Sequence, residues 1–138
     1  MKPGVGHALL AVASVAIVAT VIAAIAVMGS PTAQRETRMD ERRLSDLRRI
    51  ARTIDQHVQQ HGTLPPDLAT LARQLGVRLP LADPATSVPY GYRTEDGLRY
   101  QLCAVFSTDS GQTDGWVDAE WPHGQGERCF PRKADKGR

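Results

Sequence analysis

The chain has 138 residues, a formal net charge of +2, two cysteines and four histidines. So small a charge gives no electrostatic case for a nucleic-acid partner, and once the apolar opening is set aside about 100 residues remain, an ordinary size for a single core. The aromatic residues, two Trp, three Tyr and two Phe, all lie between Tyr90 and Phe130, which splits the chain into a helical front and a back that holds the sheet.

Ala8 to Met28 carries no charge and only Ser14 and Thr20 as polar side chains. At about 1.5 Å per helical residue it crosses about 30 Å of hydrocarbon, and only a helix satisfies its own backbone groups there. The run is longer than the apolar part of a cleaved signal peptide, about 7 to 15 residues, so a retained anchor is expected, with cleavage near Ala33 as the rival. Alanines recur at 8, 11, 13, 16, 19, 23, 24 and 26. The rows Ala16, Thr20, Ala24 and Ala19, Ala23 are the small-xxx-small spacing that lets a second helix approach, which favours a packed helix. No Trp or Tyr flanks the span to anchor it at the interface.

From Arg35 to His61 both charges are dense, and Leu44, Leu47, Ala51, Ile54 and Val58 recur at three- and four-residue steps, one apolar stripe on a helix. Arg42, Arg43, Arg48, Arg49 and Arg52 are interleaved with Asp40, Glu41, Asp46 and Asp55, which reads as a solvated face. Gly62 ends the helix. Thr63 or Pro65 opens a short second one through Leu71 and Leu75 to Gly76, and Pro80, Pro84 and Pro89 make Val77 to Pro89 an irregular connector.

Strands begin at Tyr90, and Glu95-Asp96-Gly97 is a hairpin signal. A three-residue loop with Gly97 in the left-handed position sets Tyr92 opposite Tyr100 and Tyr90 opposite Leu102. That register places Tyr90, Tyr92, Leu98, Tyr100, Leu102, Ala104 and Phe106 on one face. Thr108 to Gly115 reads as a loop, Trp116 to Trp121 as a third strand, Arg128 to Phe130 as a short last strand, and Pro131 to Arg138 as a frayed tail. The fold class expected is α+β. Its parts are an anchor over 1–30, an amphipathic helix over 31–61, a small domain over 62–131 with a short helix on an antiparallel sheet, and a charged tail over 132–138.

Several of these pieces line up. The amphipathic helix leads into Gly62-x-Leu64-Pro65, Leu68-x-x-Leu71, Asp83-Pro84 and Pro89-Tyr90-Gly91-Tyr92. This resembles the globular part of type II secretion pseudopilins, where a G-x-x-P turn and a D-P…P-Y-x-Y segment sit between helix and sheet. The chain is also similar to uncharacterised bacterial single-pass proteins that end in Y-x-L-C…W-x-H-G-x-G-x-x-C-F, here Tyr100 to Cys103 and Trp121 to Phe130. Pilins carry a processing site of the type G followed by F-T-x-x-E. Here Gly4-Val5 and Gly6-His7 are the only candidates, and no acidic residue precedes Glu36. The resemblance therefore implies a pilin-like shape used outside a filament.

Cys103 and Cys129, each in an expected strand of the aromatic core, read as a disulfide in an exported domain, worth about 3.5 kcal/mol by the chain-entropy estimate. With His123 they lack a fourth ligand for zinc, and no glutamate of the H-E-x-x-H type separates His57 from His61, which read as solvated. Asp109, Asp114 and Asp118 fail an EF-hand register, because with Gly115 at position six Ser110 and Gln112 stand where acids belong. No phosphate loop or Ser/His/Asp ordering is present, so a non-catalytic protein without cofactor or metal is expected.

Arg35, Arg38, Arg42, Arg43, Arg48 and Arg49 follow the anchor while only Lys2 precedes it, which by the positive-inside rule puts the domain in the cytoplasm. The cysteine pair and the pilin-like pattern put it outside. The reading adopted is a bacterial inner-membrane, single-pass protein with a periplasmic domain. It serves as an accessory subunit whose helix packs, through Ala16, Ala19, Thr20, Ala23 and Ala24, against subunits of an integral membrane complex and membrane lipid. The alternatives are a minor pseudopilin-like secretion component and an anchored ligand-sensing module.

Overall fold

The computed structural model describes residues 4–28, 30–111 and 120–137. The chain forms two compact units, Met1–Arg35 and Glu36–Arg138. Its elements are α1 (Gly4–Met28), α2 (Pro31–His61), α3 (Leu68–Leu75), β1 (Gly91–Thr94), β2 (Arg99–Phe106) and β3 (Gly126–Lys133). The architecture is α+β, with one helix among the described residues long and apolar enough to cross a membrane.

Local chemistry sets the helix ends. Ser30 caps α2, its Oγ accepting from the Ala33 N–H at 3.2 Å, and Pro31 takes the first turn, where its missing N–H costs nothing. Gly62, at φ 75°, ends α2 by donating its N–H to the Val58 carbonyl at 2.7 Å. The short helix starts later than Thr63 or Pro65. The Asp67 carboxylate caps it, accepting from the Thr70 N–H at 2.6 Å and the Thr70 hydroxyl at 2.8 Å, which leaves the two prolines outside. It closes on Gly76 at φ 61°, as the sequence requires.

The expected apolar stripe of α2, Leu44, Leu47, Ala51, Ile54 and Val58, is buried, and Ile50 joins it. It shares one core with Leu68 and Leu71 of the short helix and with Tyr90, Tyr100, Leu102, Ala104, Phe106, Trp121 and Phe130. The sheet is antiparallel in the order β1-β2-β3. β1 pairs with β2 through Tyr92 opposite Leu102 and Thr94 opposite Tyr100, two residues away from the expected register. Glu95 joins the ladder, its N–H donating to the Arg99 carbonyl at 2.8 Å, so the loop is Asp96-Gly97-Leu98 instead of Glu95-Asp96-Gly97. A slide of two keeps every side chain on its face, which is why the expected inward set still points to the core.

β3 is longer than Arg128 to Phe130, and the tail is not frayed. Ala134 is buried and donates its N–H to the Leu98 carbonyl, and the Asp135 N–H donates to Asp55 Oδ1 at 3.0 Å. Residues 116–119 of the expected third strand lie outside the described residues. Trp121 is buried in an irregular segment, edge-on to Phe130 and under the Arg132 guanidinium, 4.6 Å from its ring. The proline-rich connector folds into a tight loop, where Asp83 Oδ1 accepts from the Ala85 and Thr86 N–H groups and Ala82 bridges to Pro89.

Candidate functional site

Within the first unit α1 is apolar on every side, and each described side chain is exposed except Ala24, which is half-buried. A helix apolar all round and long enough to cross a membrane suggests a membrane span, a test that a signal sequence near an N-terminus also passes. Turning about 100° per residue sorts its second half by size. Ala16, Ala19, Thr20, Ala23, Ala24 and Ala26 share one side, with exposed Val27 as its one large member, while Ile17, Val18, Val21, Ile22 and Ile25 share the other. The Thr20 hydroxyl donates to the Ile17 carbonyl at 2.8 Å, so it adds no unmet polar group to the flat side. The flat side lets a second backbone come close; the bulky side suits lipid chains.

The second unit holds a charge cluster at its centre. Arg43 is 4% exposed, Asp40 2% and Asp83 5%. Arg43 Nε donates to Asp83 Oδ2 and its Nη1 to Asp40 Oδ1, both at 2.5 Å. Asp40 also accepts from the Ser107 N–H at 3.1 Å, the Thr108 N–H at 2.7 Å and the Thr108 hydroxyl at 2.6 Å, while Arg43 Nη1 donates to Ser107 Oγ at 3.0 Å. One arginine thus ties α2 to the connector and to the end of β2. Burial alone lowers an arginine pKa, but the hydrogen bonds to Asp83 and Asp40 outweigh it and raise that of Arg43. For Asp83 burial pushes up, and the Arg43 hydrogen bond with the Ala85 and Thr86 N–H groups pulls its carboxyl below the usual range.

This cluster corrects the reading of Asp40 and Arg43 as part of a solvated face. The missed signal is a second row at the same spacing, Arg43, Leu47, Ile50, Ile54 and His57, whose charged first member borders the apolar stripe.

Cys103 and Cys129 stand directly opposite each other on β2 and β3 with Cα atoms 4.0 Å apart, joined by a disulfide. Cys103 is buried in its strand, and Cys129 is not. Phe130 faces inward, so its neighbour Cys129 stands on the other face of the sheet and is exposed. Gly91 is needed beside them, because a Cβ there would lie 2.9 Å from Cys103 Cβ.

The histidines differ from two solvated rings. His57 is buried with Nδ1 unpartnered, and its ring stacks on exposed His61 at 4.3 Å. Burial, then the His61 charge, lowers its pKa. His123 is also buried, stacked on Phe106 at 4.0 Å. Tyr90 donates to Asp46 Oδ2 at 2.9 Å and Tyr92 to the Pro65 carbonyl at 2.9 Å. Burial pushes the Tyr92 and Tyr100 hydroxyls up to about 12. Among the described residues no three His, Cys, Asp or Glu side chains converge as a metal site, and Asp114 and Asp118 lie outside them.

No family model, no curated protein and no solved structure matches the chain.

Proposed function

We propose that this protein is a non-catalytic, single-pass membrane accessory subunit. Its helix α1 stays uncut and packs through Ala16, Ala19, Thr20, Ala23 and Ala24 against a larger membrane complex, such as an energy-converting respiratory or photosynthetic assembly. Its small extramembrane domain steadies that assembly from the periplasmic side of a bacterial inner membrane. The observation that carries the proposal is the sorting of α1 into a flat and a bulky side, with the described residues of the flat side exposed apart from half-buried Ala24. The disulfide supports the exported side, since such bonds persist in oxidising compartments. Purification in mild detergent through a C-terminal tag brings down stoichiometric membrane partners if the reading holds, and Ala19→Leu with Ala23→Leu removes them. A lone monomer counts against it.

A second reading, a minor pseudopilin-like component of secretion, is favoured by one observation. The amphipathic helix packs on an antiparallel sheet with Asp83-Pro84 and Pro89-Tyr90-Gly91-Tyr92 between them. Deletion that abolishes secretion supports it, and an unprocessed Met1 with secretion intact removes it.

A further inference from the structure

Folding sorts the mixed charges of α2. From Arg38 onward the helix carries four carboxylates, Asp40, Glu41, Asp46 and Asp55. Three of these are engaged by the fold: Asp40 is buried against Arg43, Asp46 accepts from the Tyr90 hydroxyl, and Asp55 accepts the Asp135 N–H. Arg43 is spent in the same way. What stays outside, with exposed Glu41 at its edge, is a row at alternating four- and three-residue steps, Arg38, Arg42, Ser45, Arg49, Arg52, Gln56 and Gln59, every member exposed. It lies on the side of α2 opposite Leu44, Leu47, Ala51, Ile54 and Val58, so it faces away from the core. Its four arginines span about 21 Å at the usual helical rise. No ion pair is recorded for any of them among the described residues.

We infer that this row docks α2 lengthwise on an anionic bilayer surface, its guanidinium groups gripping lipid phosphates. This rests on the reading of α1 as a retained anchor. Two features of the row select lipid over a protein partner. It holds no apolar or aromatic residue, whereas the centre of a protein interface is depleted in charge and enriched in aromatics. And α1 ends ten residues before Arg38, so an anchored chain keeps the row at high local concentration of headgroups. Planar guanidinium forks suit bidentate contact with phosphate.

The test places a spin label at Ser45, in the middle of the row, in the full chain reconstituted into vesicles of phosphatidylcholine alone or mixed with phosphatidylglycerol. Ala85, next to Asp83 on the Arg43 side of the helix, carries the control label. The expected result is a several-fold loss of collisions with a water-soluble relaxant at Ser45 in the anionic vesicles only, no change at Ala85, and reversal at high salt. Replacing Arg38, Arg42, Arg49 and Arg52 by Gln should abolish the protection, and replacing them by Lys should keep part of it, with circular dichroism and an intact disulfide reporting that each variant is folded. Equal collisions in both vesicles, or protection that survives the Gln variant, would overturn the inference while leaving the anchor in place. Protection found only in native membranes would assign the row to an acidic protein and also overturn it. Extraction of the chain by alkaline carbonate would remove the anchor reading and the inference together.

Discussion

The units Met1–Arg35 and Glu36–Arg138 place their chemistry in opposite ways. In α1 the large apolar side chains, Leu9, Leu10, Ile17, Val21 and Ile25 among them, are all more than half exposed. In the second unit Leu47, Ile50, Ile54 and Leu102 are fully buried, and so are an arginine and two aspartates. The described residues of the first unit form a surface without a core. The second has a core closed by a charge cluster and a disulfide, so its stability is its own. Substitutions should therefore be read by different instruments in the two regions.

The largest effect on folding is expected at Arg43. Arg43→Met strands Asp40 and Asp83 as buried carboxylates, and by analogy with broken buried ion pairs should cost about 3–5 kcal/mol in urea unfolding. Removing the cross-link by Cys103→Ala with Cys129→Ser should cost about 3.5 kcal/mol in the same assay under oxidising conditions, and reductant should do the same to the parent chain.

Acid should act next, and only on the second unit. His57 is held neutral by burial, so the unfolded chain takes up a proton more readily than the folded one. Its contribution is complete above the ordinary histidine value of 6.5 and is lost as pH falls from there to the lowered folded value. Asp83 adds a loss at lower pH, because its depressed carboxyl favours folding above the ordinary value of 3.8 and that benefit goes as pH drops through the folded value. Thermal midpoints from pH 7 to 5 should fall, and His57→Phe should flatten that slope. The smallest effect on folding belongs to Ala19→Leu and Ala23→Leu. They should leave the urea midpoint within about 0.5 kcal/mol of the parent, as for surface positions, while abolishing partner recovery.

How much of this was legible beforehand follows from the kind of signal each residue carries. The length and purity of Ala8 to Met28 and the stripe from Leu44 to Val58 are one-dimensional patterns, and both elements follow from them. The inward parity of Tyr92, Tyr100 and Leu102 follows from alternation, but the register does not, since a slide of two leaves alternation unchanged. The direction of Asp40 and Arg43 was hidden because their partners lie far along the chain, Thr108 68 residues from Asp40 and Asp83 40 residues from Arg43. Charge interleaved along α2 looked neutral for the same reason; the fold withdraws most of the acids and leaves the arginines. β3 was underestimated because Glu127, Arg128 and Lys133 lie on its exposed positions, where alternation with Phe130 gives only one buried residue to read.

The direct test of the central claim is site-specific photo-crosslinking along α1 in native membranes. A photoreactive residue placed at Ala16, Thr20 or Ala23 should yield defined adducts with another membrane protein, and one placed at Val18, Val21 or Ile25 should yield lipid adducts or none. Equal labelling from both sides, or a mature chain that begins after Ala33, would contradict it.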